Sequence, residues 1–223
     1  RLIRLNGFPL PRVAIVPPGY APMPEPVPGG PSFASTFGIP GPFVLFVGRL
    51  ASNKGLLPLV EAFRGLARHD ATATLVVIGE DAGIRSEVER AVAAAGLEPR
   101  VRLTGYISDP RVLVSAFREA RLFVLPSEYE SFGLVLLEAL AQGTPVIAAR
   151  VGGIPEFVPE GKAGVLVPPG EAAALGEALL SLWDDAPRRQ RLGAFGRSEV
   201  VPFYTWDRVV DRLLEVYREA LDR

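Results

Sequence analysis

The sequence predicts an α/β fold, a three-layer parallel sheet covered by helices on both faces. Three observations point there. Short apolar runs without polar alternation recur along the chain, and such runs are strands buried on both faces. Stretches with helical spacing separate them, which gives parallel strands joined by right-handed crossovers. Most runs end at Gly or Pro, so the residues with unusual chemistry gather just beyond the strand ends.

In order, FVLFVG (43–48) is the first strand and LLPLVEAFRGLARH (56–69) the first helix. ATLVVIG (73–79) is a strand, and IRSEVERAVAAAG (84–96) is a helix that Gly96 stops. VRLTG (101–105) is a strand, PRVLVSAFREA (110–120) a helix and RLFVLP (121–126) a strand. GLVLLEALAQG (133–143) is a helix closed by Gly143, followed by strands PVIAA (145–149) and AGVLVPP (163–169). EAAALGEALLSLWDD (171–185), PRRQRLGAFGRSEV (187–200) and WDRVVDRLLEVYREAL (206–221) are helices. The alternation is Rossmann-like. Before it, residues 1–42 are expected to be irregular. RVAIVPPGY (12–20) is read as one incoming strand, and APMPEPVPGGPSF as an extended Pro/Gly-rich linker strapped over a surface. The chain thus divides into 1–42, a Rossmann-like unit at 43–200, and a C-terminal crossover helix with its lead-in at 201–223.

Composition narrows the function. With 223 residues, nearly half of them hydrophobic, a full core is affordable. A net charge of −1 creates no field that would recruit nucleic acid or an anionic membrane. The absence of Cys removes disulfides and thiolate metal sites and fits a reducing, cytoplasmic setting. One His, His69, leaves no His-based triad and no zinc cluster. No apolar run reaches the roughly 20 residues of a spanning helix. The chain opens with Arg1 rather than Met and is expected to be part of something longer. Lys54 and Lys162 are its only lysines.

Three clusters sit beyond the strand ends. GRLASNKG (48–55) carries Arg49, a planar fork for phosphate oxygens, and Lys54, a point charge; Gly48 and Gly55 keep bulk away. It is not a Walker loop. The competing reading is two solvated charges. SEYESFGLVLLEAL (127–140) raises a sharper question, because Glu138 interrupts a helix that is apolar nearly all round. A carboxylate buried without a partner is costly. Ser131 or Glu130 is expected at the N-cap, with the N–H groups of Phe132, Gly133 and Leu134 facing the rim as an anion site. Glu138 then lies about 9 Å further along the axis, where it suits the vicinal hydroxyls of a ribose. The competing reading pairs Glu138 with a nearby Arg. VGGIPEFV (151–158) offers close backbone approach at its glycines and a short helix beginning at Pro155 and Glu156, or simply a tight turn.

Taken in order, GRL-x-x-x-KG after an apolar strand, PS-x-x-E-SFGL-x-x-x-E, GTPVIA and GGIPE resemble the nucleotide-binding, C-terminal domain of glycosyltransferase family 4. Those enzymes are retaining transferases of the GT-B fold. The E-x7-E signature matches at Glu130 and Glu138. VAIVPPGY resembles the family's Pro-Asn-Gly turn with Pro18 in place of Asn. FYTWDRVVDRLLEVYREAL resembles its Phe-Ser-Trp C-terminal helix, with Tyr204-Thr205 in place of Ser. The match covers about residues 12–221.

The resemblance implies that Arg49 and Lys54 hold the donor diphosphate and assist its departure, with Glu130 beside the donor sugar. Glu138 accepts from the ribose. Gly48, Ser131 and the backbone of Phe132, Gly133 and Leu134 contact sugar or phosphate. Tyr106 and Ile107 frame the base, and Glu80 is a further rim candidate. There is no Asp-x-Asp, so donor binding is expected to need no metal and no cofactor. A GT-B enzyme has two such domains; only the donor half is matched, so an N-terminal acceptor-binding partner is implied and this chain is expected to bind a nucleotide sugar while transferring slowly or not at all. A GT-B-like epimerase and a non-catalytic nucleotide-binding module are the alternatives. A phosphorylase would need a cofactor lysine, and Lys162 sits in an unsuitable turn. His69 is read as a surface helix end, Trp183 and Trp206 as packing, and Arg188–Arg191 as a solvated face, with contact to an anionic membrane the rival reading.

Overall fold

The computed structural model describes residues 14–26 and 32–221. Six strands form one all-parallel sheet in the order β3-β2-β1-β4-β5-β6. They are β1 (Phe43–Val47), β2 (Thr74–Ile78), β3 (Val101–Gly105), β4 (Leu122–Leu125), β5 (Val146–Ala149) and β6 (Gly164–Val167). β1, β2, β4 and β5 are buried along almost their whole length, which is why their sequences are apolar on every residue but Thr74.

The helices are α1 (Phe33–Thr36), α2 (Leu56–His69), α3 (Arg85–Ala94), α4 (Pro110–Glu119), α5 (Leu134–Ala141), α6 (Ile154–Phe157), α7 (Ala172–Trp183), α8 (Ala186–Phe195) and α9 (Trp206–Leu221). α2 packs on α3 and α7, while α4 packs on α1 and α5. The result is the three-layer α/β architecture predicted. The chain steps outward from β1 through β2 to β3, then returns to the other side of β1 at β4. That reversal leaves a crevice at the carboxyl ends of β1 and β4, the usual ligand position in such sheets.

Three segments differ from expectation. No strand forms over 14–20; Tyr20 alone makes a bridge, to Thr205. Pro17 and Pro18 lack the N–H a ladder needs, and Arg12 and Val13 lie outside the described residues. The stretch read as irregular contains α1, capped by the Ser32 side chain, which accepts from the Ser35 N–H. Its free N–H groups, those of Phe33 and Ala34, donate to the Glu119 carboxylate at 2.7 and 2.8 Å, a partner 86 and 85 residues away. The helix expected over 187–200 ends at Phe195 and continues as a π-turn, Gly196–Val200. There Gly196 lies against the Leu140 side chain, where a Cβ would clash.

The expected minor features fall as follows. His69 ends α2 and pairs with Asp184 at 2.6 Å. Trp183 is fully buried and donates to Asp70 at 2.8 Å, whereas Trp206 is half exposed and covers Gly19. The Arg188–Arg191 cluster is not uniformly solvated, because Arg189 folds back to donate to the Leu182 carbonyl at 2.6 Å and to that of Trp183. These carbonyls end α7, where a cation is favoured. α9 buries only Val209 and exposes Trp206, Val210, Leu214, Tyr217 and Leu221. Among the described residues, no helix is long and apolar enough to cross a membrane.

Candidate nucleotide-binding site

The crevice holds two adjoining cavities that share Val47, Gly48 and Arg49. The first, about 300 Å³, is lined by Lys54, Leu125, Glu130, Gly133, Leu134, Val135 and Glu138 besides the shared three. The second, about 240 Å³, adds Ile78, Gly79, Glu80, Tyr106, Ile107 and Leu113. Thus ten of the twelve residues singled out from sequence line one continuous depression. Ser131 and Phe132 do not line it.

The floor is built by strand ends. The Gly48 N–H donates to the Ile78 carbonyl at 2.9 Å and the Gly79 N–H to that of Gly105 at 3.0 Å, which carries the ladder past the strands into the loops. Gly79 lies against the Gly48 carbonyl so closely that no Cβ fits. After β1 the chain makes one 3₁₀ turn, Ser52–Lys54, and Gly55 starts α2 in the left-handed region. That turn is fastened to the β4 loop by the Glu128 N–H, which donates to the Asn53 carbonyl at 2.9 Å.

The fastening brings Lys54 onto Glu130, with Nζ 2.7 Å from Oε2. Both side chains are largely enclosed, so the solvated-charge reading fails for Lys54. It holds in part for Arg49, which is exposed and makes no side-chain hydrogen bond among the described residues. Two cations therefore flank the cavity, one engaged and one free.

α5 begins differently from expectation. Neither Ser131 nor Glu130 caps it; Gly133 does, at φ 90°, ψ 53°, without a side-chain bond. Only Gly adopts this geometry readily. It turns the chain so that the backbone N–H groups of Leu134 and Val135 have no backbone acceptor among the described residues, the ordinary state of a helix N-terminus. Ser131 is exposed, and its carbonyl accepts from the Gly153 N–H at 3.1 Å. Phe132 turns away to stack on Phe157, centroids 4.6 Å apart, with Tyr204 at 5.5 Å. This aromatic cluster, legible in sequence only as separate residues, anchors the loop to α6 and the C-terminal segment. α6 begins at Ile154 with Pro155 and Glu156 in its first turn, as predicted.

Glu138 lines the cavity one turn into α5, half-buried between Leu137 and Ala139. No Arg or Lys pairs with it among the described residues, so the ion-pair alternative is not found. Burial pushes its carboxyl above the ordinary carboxylate value. Tyr106 is largely exposed at the rim and Ile107 half-buried behind it. Among the described residues, no three His, Asp or Glu side chains gather closely enough to hold a metal ion.

Sequence reasoning missed the apolar lining. Val47, Leu125 and Ile78 are the last residues of β1, β4 and β2, so their place at the rim follows once the strands are drawn. Val135 and Leu113 are set by helix rotation and carried no sequence signal.

The family described as glycosyl transferases group 1 matches residues 34–199. A D-inositol 3-phosphate glycosyltransferase from Xylanimonas cellulosilytica is 36% identical over 233 aligned residues, covering all of this chain and 55% of that protein. The sucrose-phosphate synthase structure from Thermosynechococcus elongatus superposes with a TM-score of 0.81 at 30% identity, over 99% of this chain and 55% of that one. The C-terminal domain of a group 1 glycosyl transferase, LpcC, from Francisella tularensis superposes at 0.72 and 28% identity, over 82% of this chain and 96% of that domain. The chain spans about half the length of the curated relatives it matches. The architecture is that of GT-B glycosyltransferases, and the chain belongs to the glycosyl transferases group 1 family.

Proposed function

We propose that this chain is the C-terminal, donor-binding half of a retaining, family 4-type hexosyltransferase that uses a nucleoside-diphosphate sugar. One observation carries the reading: Glu138, a carboxylate with no protein partner, shares a cavity with Arg49, Lys54 and the open N-terminus of α5. A site with two cations and free N–H groups at one end suits a diphosphate. An unpartnered acceptor further in suits ribose hydroxyls. Ligand hydroxyls would supply the hydrogen bonds that the protein withholds from Glu138.

In this reading Arg49 and Lys54 hold the diphosphate, and the Leu134 and Val135 N–H groups reach its oxygens. Bond cleavage at the sugar builds charge on the departing diphosphate, and fixed cations and helix N–H groups meet that charge without rearranging. Glu130 steers Lys54 and faces the sugar, with Gly133 keeping side-chain bulk away. The base lies in the adjoining cavity between Ile107 and Tyr106, with Glu80 at its edge. Ser131 and Phe132 act through their backbone and support the loop. Donor binding needs no metal, since the protein supplies the charge itself, and the setting is cytoplasmic.

Acceptor binding and full activity belong to an N-terminal partner domain. The exposed apolar face of α9, from Trp206 to Leu221, supports such a neighbour. Calorimetric titration with UDP, GDP and ADP, with and without Mg²⁺, tests the proposal. One diphosphate should bind with EDTA present, and Glu138→Ala should weaken it. Binding that vanishes on chelation removes the metal-independent part. Binding that is indifferent to Glu138→Ala removes the ribose assignment. Rapid multiple turnover by this chain alone would overturn the half-enzyme reading.

A further inference from the structure

A second cavity lies at the opposite end of the sheet from the nucleotide crevice. It has a volume of about 320 Å³, sits between the C-terminal ends of α2 and α3, and is lined by three guanidinium side chains, Arg64, Arg68 and Arg100. Ala67 and Leu97 supply an apolar part of the wall, with Gly96 beside them. None of its lining residues is shared with the crevice. Counted along α2, Arg68 stands about 20 Å from the Lys54 loop.

The three cations are held in different ways. Arg64 donates from Nη1 to both Glu61 oxygens, at 2.8 and 2.9 Å, and is neutralised there. Arg100 is fixed by carbonyls rather than by a carboxylate. Its Nε donates to the Ala73 carbonyl at 2.8 Å and its Nη2 to that of Asp70 at 3.0 Å. Its charge is thus held in place without being cancelled, and both N–H groups of Nη1 lack an acceptor among the described residues. Arg68 is exposed and has no hydrogen-bond or ion-pair partner among the described residues. A cation in the last turn of a helix is ordinary, and that alone accounts for Arg68. It does not account for Arg100, which comes from the 3₁₀ turn before β3 and brings an uncancelled charge to the same wall.

The rest of the wall narrows the ligand. The Gly96 and Leu97 N–H groups are engaged by the Ala93 and Val92 carbonyls, each at 3.0 Å. The guanidiniums are therefore the free donors, and the cavity suits a molecule that brings acceptors and negative charge. A phosphate monoester carries close to two charges at neutral pH and three strong acceptor oxygens, which matches two unpaired guanidinium forks; a carboxylate would match one. A cleft of this volume takes a small molecule. We propose that it is a second ligand site, which holds a small soluble phosphate monoester between Arg68 and Arg100, with the organic part against Ala67 and Leu97.

Two-dimensional NMR of the ¹⁵N-labelled chain tests this, read at the Gly96 and Leu97 amides and at the Arg100 Nε–H. Glycerol 2-phosphate is the probe, glycerol the control, and sodium chloride holds the ionic strength constant. The phosphate should shift these signals until they saturate, and glycerol should leave them in place. Arg68→Gln, a change to an exposed side chain, should weaken binding roughly threefold to tenfold with the rest of the spectrum preserved. Lys54→Ala should leave the response at Gly96 and Leu97 as it is. Phosphate that enters only the nucleotide crevice would instead shift the Leu134 and Val135 amides. Shifts confined to that pair, shifts that grow without saturating, or equal affinity in Arg68→Gln each overturn the proposal. The readout uses no nucleotide, so its failure leaves the crevice untouched.

Discussion

Lys54 Nζ lies 2.7 Å from Glu130 Oε2, and the two side chains are only 18% and 17% exposed. The pair joins the loop after β1 to the loop after β4 across the crevice. A cation in this position is aimed by its partner but also partly neutralised by it. The two residues therefore oppose one another toward an anion, and substituting each should have the opposite sign.

Lys54→Ala should weaken nucleoside-diphosphate binding by about 10- to 100-fold, the range for losing a charge-assisted hydrogen bond. Glu130→Gln removes the competing charge and keeps the shape. It should leave nucleoside-diphosphate affinity equal or a few-fold tighter, while lowering affinity for the nucleotide sugar. Calorimetry on both ligands reads the difference. A loss of the same size from both substitutions would show that the pair acts only as a strut.

Glu138 makes binding depend on pH in a stated direction. Its folded-state pKa is raised by burial, and the charged form is the one that accepts from hydroxyls. Affinity should therefore rise as pH increases from the ordinary carboxylate value of 4.5 through the raised value. Stability of the free chain should fall through the same window, since the folded state there binds more protons than the unfolded one. In Glu138→Gln both slopes should flatten. Paired denaturation and binding series between pH 4.5 and 8 would show it; identical slopes in the variant would assign them to another group.

Gly152→Ala should damage the site from the second loop. Gly152 has φ 52°, and a Cβ there would run into the Glu130 carbonyl. The strained backbone and the clash together should cost about 2–3 kcal/mol. They should also shift Glu130 away from Lys54. Chemical denaturation gives the first effect and diphosphate affinity the second. Unchanged stability would mean that the loop has room to move aside.

Asp70 serves the opposite end of the sheet. It accepts from the Thr72 hydroxyl at 2.6 Å, the Thr72 N–H at 2.8 Å and the buried Trp183 indole at 2.8 Å. The Thr72 bonds lead in holding its carboxyl at about 2, below the ordinary value of 3.8. This stabilisation is present above 3.8 and is lost as pH falls through about 2. Asp70→Ala orphans the Trp183 N–H and should cost about 1–2 kcal/mol at neutral pH, with nucleotide binding unchanged. An unaffected unfolding midpoint would show that water replaces the carboxylate.

Much of this was legible because buried parallel strands and crossover helices write themselves in periodicity. FVLFV and TLVVI have no polar face, so they belong inside a sheet, and α2, β3 and α9 occupy the residues their patterns mark. The incoming strand was misread because apolar character outweighed the two prolines that deny it a ladder. α1 was missed because Glu119, which satisfies its N-terminus, is remote in sequence. The N-cap of α5 was misplaced because Ser and Glu are ordinary caps, whereas Gly133 is chosen for its backbone angles.

The sequence by itself determined the layers, the rim and which residues stand on it, since these follow from local periodicity and from strands that all run one way. Tertiary structure alone decided how those residues meet: that Lys54 is engaged by Glu130, and that Glu138 is left without a charged partner among the described residues. Such facts depend on side chains far apart in the chain being brought within a few ångströms, and no local pattern encodes that distance.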